Sequence, residues 1–301
     1  MTGVVRLEQL TKSYGRNRGV VELDLTVRAG EVFGFLGANG AGKTTTIRTM
    51  LDLIRPTSGR VTIFGLDAHR DGVDVRRRLG YVPGDLRLYG RLTPRELFSY
   101  FGALRGLRSL SGAERLAERF ELEVDRPIAA LSRGTRQKVG LVQAFMHEPD
   151  LLVLDEPTSG LDPLVQQTFN DLARETAAAG RTVFLSSHVL SEVQHVADRV
   201  ALVRDGRLAL VDEVESLRAR ALTRIEVTFA EAPAEHAFDG VEHVRELERR
   251  GPVVVFHVRG EIDAFVKTLA EHRVVALNSH EADLEDIFLS LYRGDDGRAA
   301  A

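Results

Sequence analysis

The sequence contains no cysteine and no long apolar run, and these absences exclude several kinds of protein. Without a thiol there is no cysteine nucleophile, disulfide framework or cysteine-ligated metal site. The longest apolar segments, such as "VFGFLGA" from Val32, have the length of a buried strand, whereas a membrane-spanning helix needs about 18 residues. The N-terminal "MTGVVRLEQL" lacks the basic segment and apolar core of a signal peptide. We therefore expect a chain that is soluble in its own right.

An excess of charge of one sign is also missing. The 301 residues carry 40 Lys and Arg against 44 Asp and Glu, which gives a net charge of −4. This balance argues against a generally basic nucleic-acid-binding surface, so we expect no nucleic-acid partner. The densest basic cluster, Arg76 to Arg78, is equally compatible with a solvated helix face and with a surface that contacts lipid headgroups or a partner.

Most of the chain alternates between strand and helix patterns. Val4 to Leu10 and Val20 to Val27 alternate apolar and polar residues, which predicts half-buried antiparallel strands. From Leu131 to about residue 206, helices alternate with apolar strands, which predicts a mostly parallel sheet with helices on its faces. Between these parts, Leu92 to Glu121 has helical periodicity and begins with Thr93 as a candidate N-cap.

The pattern changes after residue 210. Val211 to Arg220 predicts a charged connecting helix, and the strands and helices that follow predict a small α+β module ending in "DLEDIFLSLY". The last residues, "RGDDGRAAA", have nothing to bury, which predicts disorder. We place the main domain at residues 1–218 with a helical subdomain at about 88–150, the module at 219–292 and the tail at 293–301.

The segment "GANGAGKTTT", residues 37–46, follows a buried strand and opens a helix. It matches the spacing G-x-x-x-x-G-K-[ST] of a phosphate-binding loop. Glycines such as Gly37 and Gly42 allow backbone N–H groups to approach phosphates at a helix N-terminus. Lys43 would neutralise the outer phosphates, and Thr44 would offer its hydroxyl to magnesium. The alternative is a tight strand-to-helix turn with a solvated lysine.

Two further apolar strands end in polar side chains. "LLVLDEP" ends in Asp155 and Glu156, and "FLSSH" ends in His188. Ligands of parallel sheets bind beyond the carboxyl ends of the strands, so we expect these residues in one crevice with Lys43. Asp155 would then hold the magnesium shell, Glu156 would orient or deprotonate the attacking water, and His188 would contact the γ-phosphate. The alternatives are an acidic helix cap and a structural histidine.

In this order, "GANGAGKTT", "LSRGTRQ", "LLVLDEPTSGLD" and "SSH" resemble the nucleotide-binding subunit of an ABC transporter over roughly residues 1 to 215. "LSRGTRQ" resembles the signature of this family, which other phosphate-loop ATPases lack. The resemblance implies an α/β P-loop NTPase fold of the ABC type: a mostly parallel sheet with helices on both faces, an N-terminal antiparallel β part and a helical subdomain. The small C-terminal α+β module would follow it.

The resemblance also implies a site shared by two copies, which sandwich two molecules of ATP head to tail together with Mg2+. Tyr14 would stack on adenine, and Asp162 would lie at the dimer seam. The ATP-binding residues implied are Tyr14, Gly37, Asn39, Gly40, Ala41, Gly42, Lys43, Thr44 and Thr45 of one copy, with Ser132 and Gly134 of the other. Thr44 and Asp155 would hold the metal, and Glu156 and His188 would be catalytic.

Two positions depart from the family pattern. Arg133 replaces the usual glycine of the signature, as in many drug-exporter-like members. Gly84 stands where the family commonly has a glutamine that senses magnesium and the membrane partner, and Asp85 follows it. Either Asp85 substitutes as a metal ligand, or the metal lacks this contact.

By resemblance, the chain is the ATPase of a bacterial ABC exporter of drugs, antibiotics or other hydrophobic compounds. ATP would close a dimer, with an identical copy or a paralogous ATPase subunit, and hydrolysis would reopen it. A separate transmembrane permease would hold the dimer at the cytoplasmic face of the cell membrane. Three alternatives stay open: the ATPase of an importer, a soluble ABC ATPase that acts on ribosomes or DNA, and an ATP-binding regulatory module without turnover.

Overall fold

The computed structural model describes residues 3–15, 17–220, 222–259 and 262–280. The chain divides into two compact units between Asp212 and Glu213, and each unit has its own hydrophobic core cluster. The domain boundaries expected at residues 218 and 292 remain predictions. Within the described residues, every helix falls short of the length and apolar character that a membrane span requires.

The described residues up to Glu213 form ten strands, seven α-helices and a short 3-10 helix at Ile128–Ala130. The strands are β1 (Gly3–Tyr14), β2 (Asn17–Arg28), β3 (Val32–Leu36), β4 (Ser58–Ile63), β5 (Leu66–Asp67), β6 (Leu79–Val82), β7 (Leu151–Asp155), β8 (Thr182–Ser187), β9 (Arg199–Arg204) and β10 (Arg207–Glu213). The helices are α1 (Lys43–Met50), α2 (Gly72–Arg77), α3 (Pro94–Leu104), α4 (Ser111–Arg119), α5 (Arg133–Phe145), α6 (Pro163–Ala178) and α7 (Leu190–Val193).

A six-stranded sheet in the order β10-β9-β3-β8-β7-β6 forms the centre of the first unit. The strands from β9 to β6 pair in parallel, as the alternating pattern predicts. In the register, Leu36 of β3 lies opposite Ser187 of β8, and Ser186 of β8 lies opposite Asp155 of β7. Because parallel strands end at the same edge of a sheet, the carboxyl ends of β3, β7 and β8 lie side by side.

The three central strands are continuous apolar runs because they are buried on both faces. Every residue of β3, β7 and β8 is buried. The ring of Phe184 packs against Phe33 and Phe35, with centroid distances of 5.8 and 5.3 Å. Each fully buried aromatic side chain stabilises the fold by about 1.5–3 kcal/mol, so the strand ends that carry the polar residues project from a rigid core.

The expected N-terminal antiparallel part is a four-stranded sheet in the order β2-β1-β4-β5. Strand β1 pairs antiparallel with β2 and with β4. Its apolar side chains, among them Val5, Leu7 and Leu10, are buried in the core of the first unit, whereas intervening positions are more exposed. The alternation in the sequence therefore corresponds to one packed face of this sheet.

The helical stretch at residues 92–121 is two helices, α3 and α4. Thr93 caps α3 as expected: its hydroxyl accepts from the Glu96 N–H, and the Glu96 carboxylate accepts from the Thr93 N–H, which completes a capping box. The chain leaves α3 at Gly106, whose φ of 70° is in the left-handed region that favours glycine.

The prediction of a helix from Val211 was wrong for its first three residues. Strand β10 continues to Glu213, and the helix α8 (Val214–Arg220) begins only afterwards. Tertiary packing overrides the charged pattern here, because Leu208 and Val211 of β10 pack against the core of the first unit. Strand β6 and helix α2 were not predicted, since both are short and carry arginines or glycines.

Each arginine of the basic cluster at residues 76–78 has a carboxylate partner. Arg76 lies 3.9 Å from Asp52, Arg77 lies 3.2 Å from Asp74, and Arg78 lies 2.6 Å from Asp150. These ion pairs favour the solvated helix face over a cationic surface that is open to lipid headgroups.

The second unit contains α8 and then β11 (Leu222–Phe229), β12 (Val244–Arg250), β13 (Val253–Arg259), α9 (Asp263–Leu269) and β14 (Val274–His280). Its strands form an antiparallel sheet in the order β12-β13-β11-β14. Phe256 packs against Phe238 and Phe265 at 4.7 and 4.9 Å. The described part is thus an α+β module as expected, and "DLEDIFLSLY" and the predicted tail at 293–301 lie outside the described residues.

Candidate functional site

Three glycines in the loop between β3 and α1 have conformations or contacts that any other residue would strain. At Gly42, the residue before α1, φ is 109°, and a Cβ would lie 2.6 Å from the Gly19 carbonyl oxygen. At Gly37 a Cβ would lie 2.5 Å from the carbonyl oxygen of Val203, and Gly40 has a φ of 84°. The loop is therefore pinned at both ends by close backbone contacts, while Asn39 and Gly40 between them are exposed. This is a backbone cradle at a helix N-terminus, which suits a phosphate group.

Lys43 is the cation of this cradle. Its ammonium group donates to the carbonyl oxygens of Gly37 and Ala38 at 2.6 and 3.3 Å, and it lies 3.3 Å from Glu156 Oε1. Only 6% of the side chain is exposed, against 20% for Glu156. A phosphate in the loop would compete with the Glu156 carboxylate for this ammonium group.

Asp155 is fully buried and is held from two sides. Its Oδ2 accepts a hydrogen bond from the Thr44 hydroxyl at 2.8 Å, and its Oδ1 accepts from the Ser186 hydroxyl at 2.5 Å. Burial raises the pKa of the Tyr81 phenol, and the nearby negative charge of Asp155 raises that pKa further. One hydroxyl and one carboxylate are an oxygen pair that suits Mg2+, which usually takes one or two carboxylates and completes its shell with water and substrate phosphates.

That donor set fits Mg2+ better than a metal held by protein alone. Among the described residues, no group of three or more His, Asp or Glu side chains is arranged to hold an ion.

Glu156 connects the cradle with β8. Its backbone has a φ of 51°, in the left-handed region, and its N–H donates to the carbonyl and the hydroxyl of Ser186, both at 3.2 Å. Its Oε2 lies 2.8 Å from His188 Nδ1. A non-glycine residue in this conformation costs about 1–2 kcal/mol and persists where the surroundings hold it in place. The turn directs the carboxylate to both Lys43 and His188.

Tyr14 lies beside the start of α1. A Cβ at Gly19 would lie 3.0 Å from the Tyr14 ring and 3.2 Å from the Thr45 methyl group, so these two side chains meet at Gly19. The ring is 49% exposed, and the ammonium group of Lys12 lies 5.2 Å from its centroid. An exposed aromatic ring next to the cradle is available for stacking on a base.

The signature segment contacts the loop that follows Glu156. Ser132 caps α5 by accepting from the Thr135 N–H at 3.1 Å. A Cβ at Gly134 would lie 2.7 Å from the Gly160 carbonyl oxygen, and Arg133 donates to the Ser159 hydroxyl at 3.1 Å. Ser132 and Arg133 themselves are exposed. The segment therefore presents a helix N-terminus to the outside of the chain.

The side chain of Asp85 points away from Thr44 and Asp155. Its carboxylate is exposed and lies 2.9 Å from Arg87. Gly84 is the residue beside Asp155, because a Cβ there would lie 3.1 Å from Asp155 Oδ2. The role of Asp85 as a metal ligand stays a prediction, and a change in the path of residues 84–87 would be needed to fulfil it.

Sequence reasoning brought Lys43, Thr44, Asp155, Glu156 and His188 to one crevice, and the structure confirms that proximity. It missed Ser186, which holds Asp155. The signal was present in "FLSSH", since a hydroxyl two residues before His188 comes into line with Asp155 once the two strands pair in parallel.

Comparison with known proteins agrees with this geometry. The family model described as "ABC transporter" matches residues 20–159. Over 98% of its length, and 99% of the relative, the chain is 33% identical to the bacitracin transport ATP-binding protein BcrA of Bacillus licheniformis. It is 28% identical to the linearmycin resistance ATP-binding protein LnrL of Bacillus subtilis (strain 168), over 96% of this chain and 98% of the relative. A solved structure, titled as the ATP binding subunit of an ABC transporter, is 30% identical with a TM-score of 0.66, over 71% of this chain and 92% of that one.

Proposed function

Since this chain belongs to the ABC transporter family and is one of its ATP-binding ATPase subunits, we propose that it powers the export of an antibiotic or another hydrophobic, drug-like compound. The observation that carries the catalytic part is the arrangement at the edge of the parallel sheet. There Thr44 and Asp155 form an oxygen pair, and Lys43, Glu156 and His188 form a chain of charged and hydrogen-bonded contacts.

In this proposal each polar group at the sheet edge has one role. Gly37, Asn39, Gly40, Ala41, Gly42, Lys43, Thr44 and Thr45 bind the phosphates of ATP, and Tyr14 stacks on the adenine. Thr44 and Asp155 hold Mg2+, which when bound neutralises charge on the phosphates. The metal role of Asp85 is retained only for a state in which its pairing with Arg87 is broken.

Glu156 orients the attacking water and accepts its proton as the water oxygen bonds to the γ-phosphorus and the bond to the β–γ bridging oxygen breaks. The Glu156 carboxylate is suited to this because it is partly exposed, and His188 holds one of its oxygens. His188 also contacts the γ-phosphate in the proposal. Lys43 leaves Glu156 for the phosphates when ATP binds, which frees the carboxylate for the water.

Ser132 and Gly134 bind ATP held by a second copy. Ser132 is exposed and Gly134 is partly exposed at the N-terminus of a 13-residue helix, which supports this, because the dipole and the free N–H groups favour an anion there. The partner copy is identical or a paralogous ATPase. ATP thus closes the dimer and hydrolysis reopens it, and a separate transmembrane permease converts this motion into transport at the cytoplasmic face of the membrane.

The exporter assignment is supported by similarity along the whole chain. The family match ends at residue 159, but the two antibiotic-related subunits align over at least 96% of this chain, so the alignments include the C-terminal unit. An importer ATPase or a soluble ATPase without a permease remains the alternative, and the direction and cargo of transport depend on the permease.

A pull-down from native membranes in mild detergent tests the proposal. The tagged chain should recover a polytopic membrane protein at a ratio near one to one. Deletion of the gene should raise susceptibility within an antibiotic panel that includes bacitracin, and the wild-type chain should restore resistance while Glu156→Gln should not. An ATPase-active preparation without a membrane protein would instead support the soluble alternative. Unchanged susceptibility with a permease present would count against antibiotic export.

A further inference from the structure

Glu192 of α7 is a carboxylate near the ATP site that the catalytic scheme leaves without a role. We propose that Glu192 is a positioning residue for ATP hydrolysis, because it holds the loop after Glu156 at a set distance from the segment that carries His188. This inference rests on the proposed function of Glu156 and His188 and deepens it.

The contacts of Glu192 join three elements. Its Oε2 accepts a hydrogen bond from the Thr158 hydroxyl at 2.6 Å, and its Oε1 accepts from the Gln166 amide at 3.4 Å. Thr158 belongs to the loop between β7 and α6, and Gln166 lies in the first turns of α6. The Thr158 residue is only 7% exposed, so its hydroxyl has little access to solvent as an alternative partner.

The contact between Thr158 and Glu192 joins the same two segments as the contact between Glu156 and His188. Thr158 comes two residues after Glu156, and Glu192 comes four residues after His188. The loop after β7 and the segment after β8 are therefore tied twice, by Glu156 to His188 at 2.8 Å and by Thr158 to Glu192 at 2.6 Å. The second tie is a short hydrogen bond to a carboxylate, which is stronger than one between neutral groups.

The backbone conformation of Glu156 explains why the hydrogen bond between Thr158 and Glu192 matters. A left-handed residue persists only if contacts on both of its sides maintain it. On the sheet side, the Glu156 N–H donates to Ser186. On the loop side, Ser159 N–H donates to the Glu156 carbonyl at 3.2 Å, and Thr158 within that turn is held by Glu192. Without the Glu192 carboxylate, this loop keeps its contacts with α5, where the Gln137 amide donates to the Pro157 carbonyl at 2.9 Å and Arg133 donates to Ser159 at 3.1 Å. It loses the hydrogen bond from Thr158 to the segment that carries His188.

The expected effect is on turnover and not on ATP affinity. The cradle and Lys43 lie on the loop after β3, and Glu192 contacts neither of them through its two hydrogen bonds. A small displacement of the Glu156 carboxylate relative to the γ-phosphate can lower the rate by up to about 100-fold, because catalysis requires the reacting groups in a narrow geometry. Loss of the tie should therefore lower kcat while the KM for ATP changes little.

Substitutions at Thr158 test this without changing the charge of the site. Thr158→Val removes the donor and keeps the shape, and we expect kcat to fall about tenfold with KM within about twofold of wild type. Thr158→Ser restores the hydroxyl and should recover most of the rate. Thr168→Val is the matched control: the Thr168 hydroxyl donates within α6 to the Leu164 carbonyl at 3.0 Å, and kcat should not change.

A double-mutant cycle then connects the effect to Glu192. Glu192→Ala should lower kcat to a similar extent, and the Thr158→Val, Glu192→Ala double variant should lose less than about twofold more. Hydrogen exchange of the Ser159 and Leu161 amides should be faster in Glu192→Ala than in wild type. Wild-type kcat in Thr158→Val, additive losses in the cycle, or a change in KM alone would overturn the role of Glu192. A wild-type chain without ATPase activity would instead overturn the proposed function itself.

Discussion

Glu156→Gln is the substitution that separates binding from hydrolysis most directly. It keeps the size of the side chain and removes its negative charge. The amide cannot accept a proton from water, so the chemical step should slow by about 10²–10⁴-fold, the usual contribution of a general base. The hydrogen bond with His188 Nδ1, at 2.8 Å in the native site, can still form with an amide.

The same substitution should tighten ATP binding. Lys43 lies 3.3 Å from Glu156, and both side chains are mostly buried, so this ion pair must be broken before the ammonium group can turn to a phosphate. After desolvation is taken into account, such a pair contributes on the order of 1 kcal/mol, and its removal corresponds to about a fivefold lower Kd. Lys43→Ala should act in the opposite direction: it removes charged hydrogen bonds worth about 2 kcal/mol, which corresponds to about a 30-fold weaker Kd.

Two measurements on the same preparations decide the matter: phosphate release in the steady state, and equilibrium binding of a fluorescent ATP analogue. Size-exclusion chromatography with ATP should further reveal a stable dimer for Glu156→Gln. Glu148→Gln is the matched control, since Glu148 pairs with Arg181 on the surface at 2.7 Å. If Glu156→Gln hydrolysed ATP at the wild-type rate, the catalytic assignment would be wrong. A weaker Kd would refute the competition for Lys43.

Two other predictions concern Gly84 and His147. A Cβ in Gly84→Ala would lie 3.1 Å from Asp155 Oδ2, and hydroxyls already hold that carboxylate from two sides, so we expect a loss of about 1–3 kcal/mol in thermal or urea unfolding. Gly84→Gln adds an amide oxygen at this position. Its ATPase activity should reach half-maximum at a severalfold lower Mg2+ concentration than the activity of Gly84→Ala. Identical magnesium titrations would exclude a metal contact here. Burial, with a smaller contribution from Arg105, lowers the pKa of His147 from 6.5 to about 4. The unfolded chain therefore binds more protons between these pH values, and the Tm should fall as the pH is lowered through this window, but less steeply in His147→Gln; equal slopes would contradict it.

The phosphate loop illustrates what local sequence can predict. Gly37 to Gly42 are six consecutive residues, and Lys43 and Thr44 begin the helix that follows, so their relative positions follow from spacing alone. The same holds for the Thr93 cap and for the apolar runs of β3, β7 and β8. Once these strands are parallel, the rule that their carboxyl ends meet at one edge brings Asp155, separated from Lys43 by more than a hundred residues, to the same crevice.

Local sequence patterns did not predict which way the side chains at that edge point. Asp85 was expected at the metal, but its carboxylate pairs with Arg87, while Gly84 lies against Asp155. The last three residues of β10 were taken for the start of a helix, since the charges of Asp212 and Glu213 obscured the packing of Val211 against the core. The Asp85–Arg87 pair is local, but the approach of Gly84 to Asp155 and the packing of β10 depend on neighbours that are distant in sequence.

Ser186 and Glu192 show which contacts the sequence spacing cannot predict and only the tertiary structure decides. Spacing along the chain is sufficient for the cradle, the strand ends and the proximity of Glu156 to His188, because each depends on a short segment and on one general property of parallel sheets. The hydrogen bond from Ser186 to Asp155 depends on the register of β7 against β8. The contact of Glu192 with Thr158 depends on the turn at Glu156 and on the placement of α7. Both contacts form only when the strands pair and the core closes, and a shift of one residue between β7 and β8 would turn Ser186 away from Asp155.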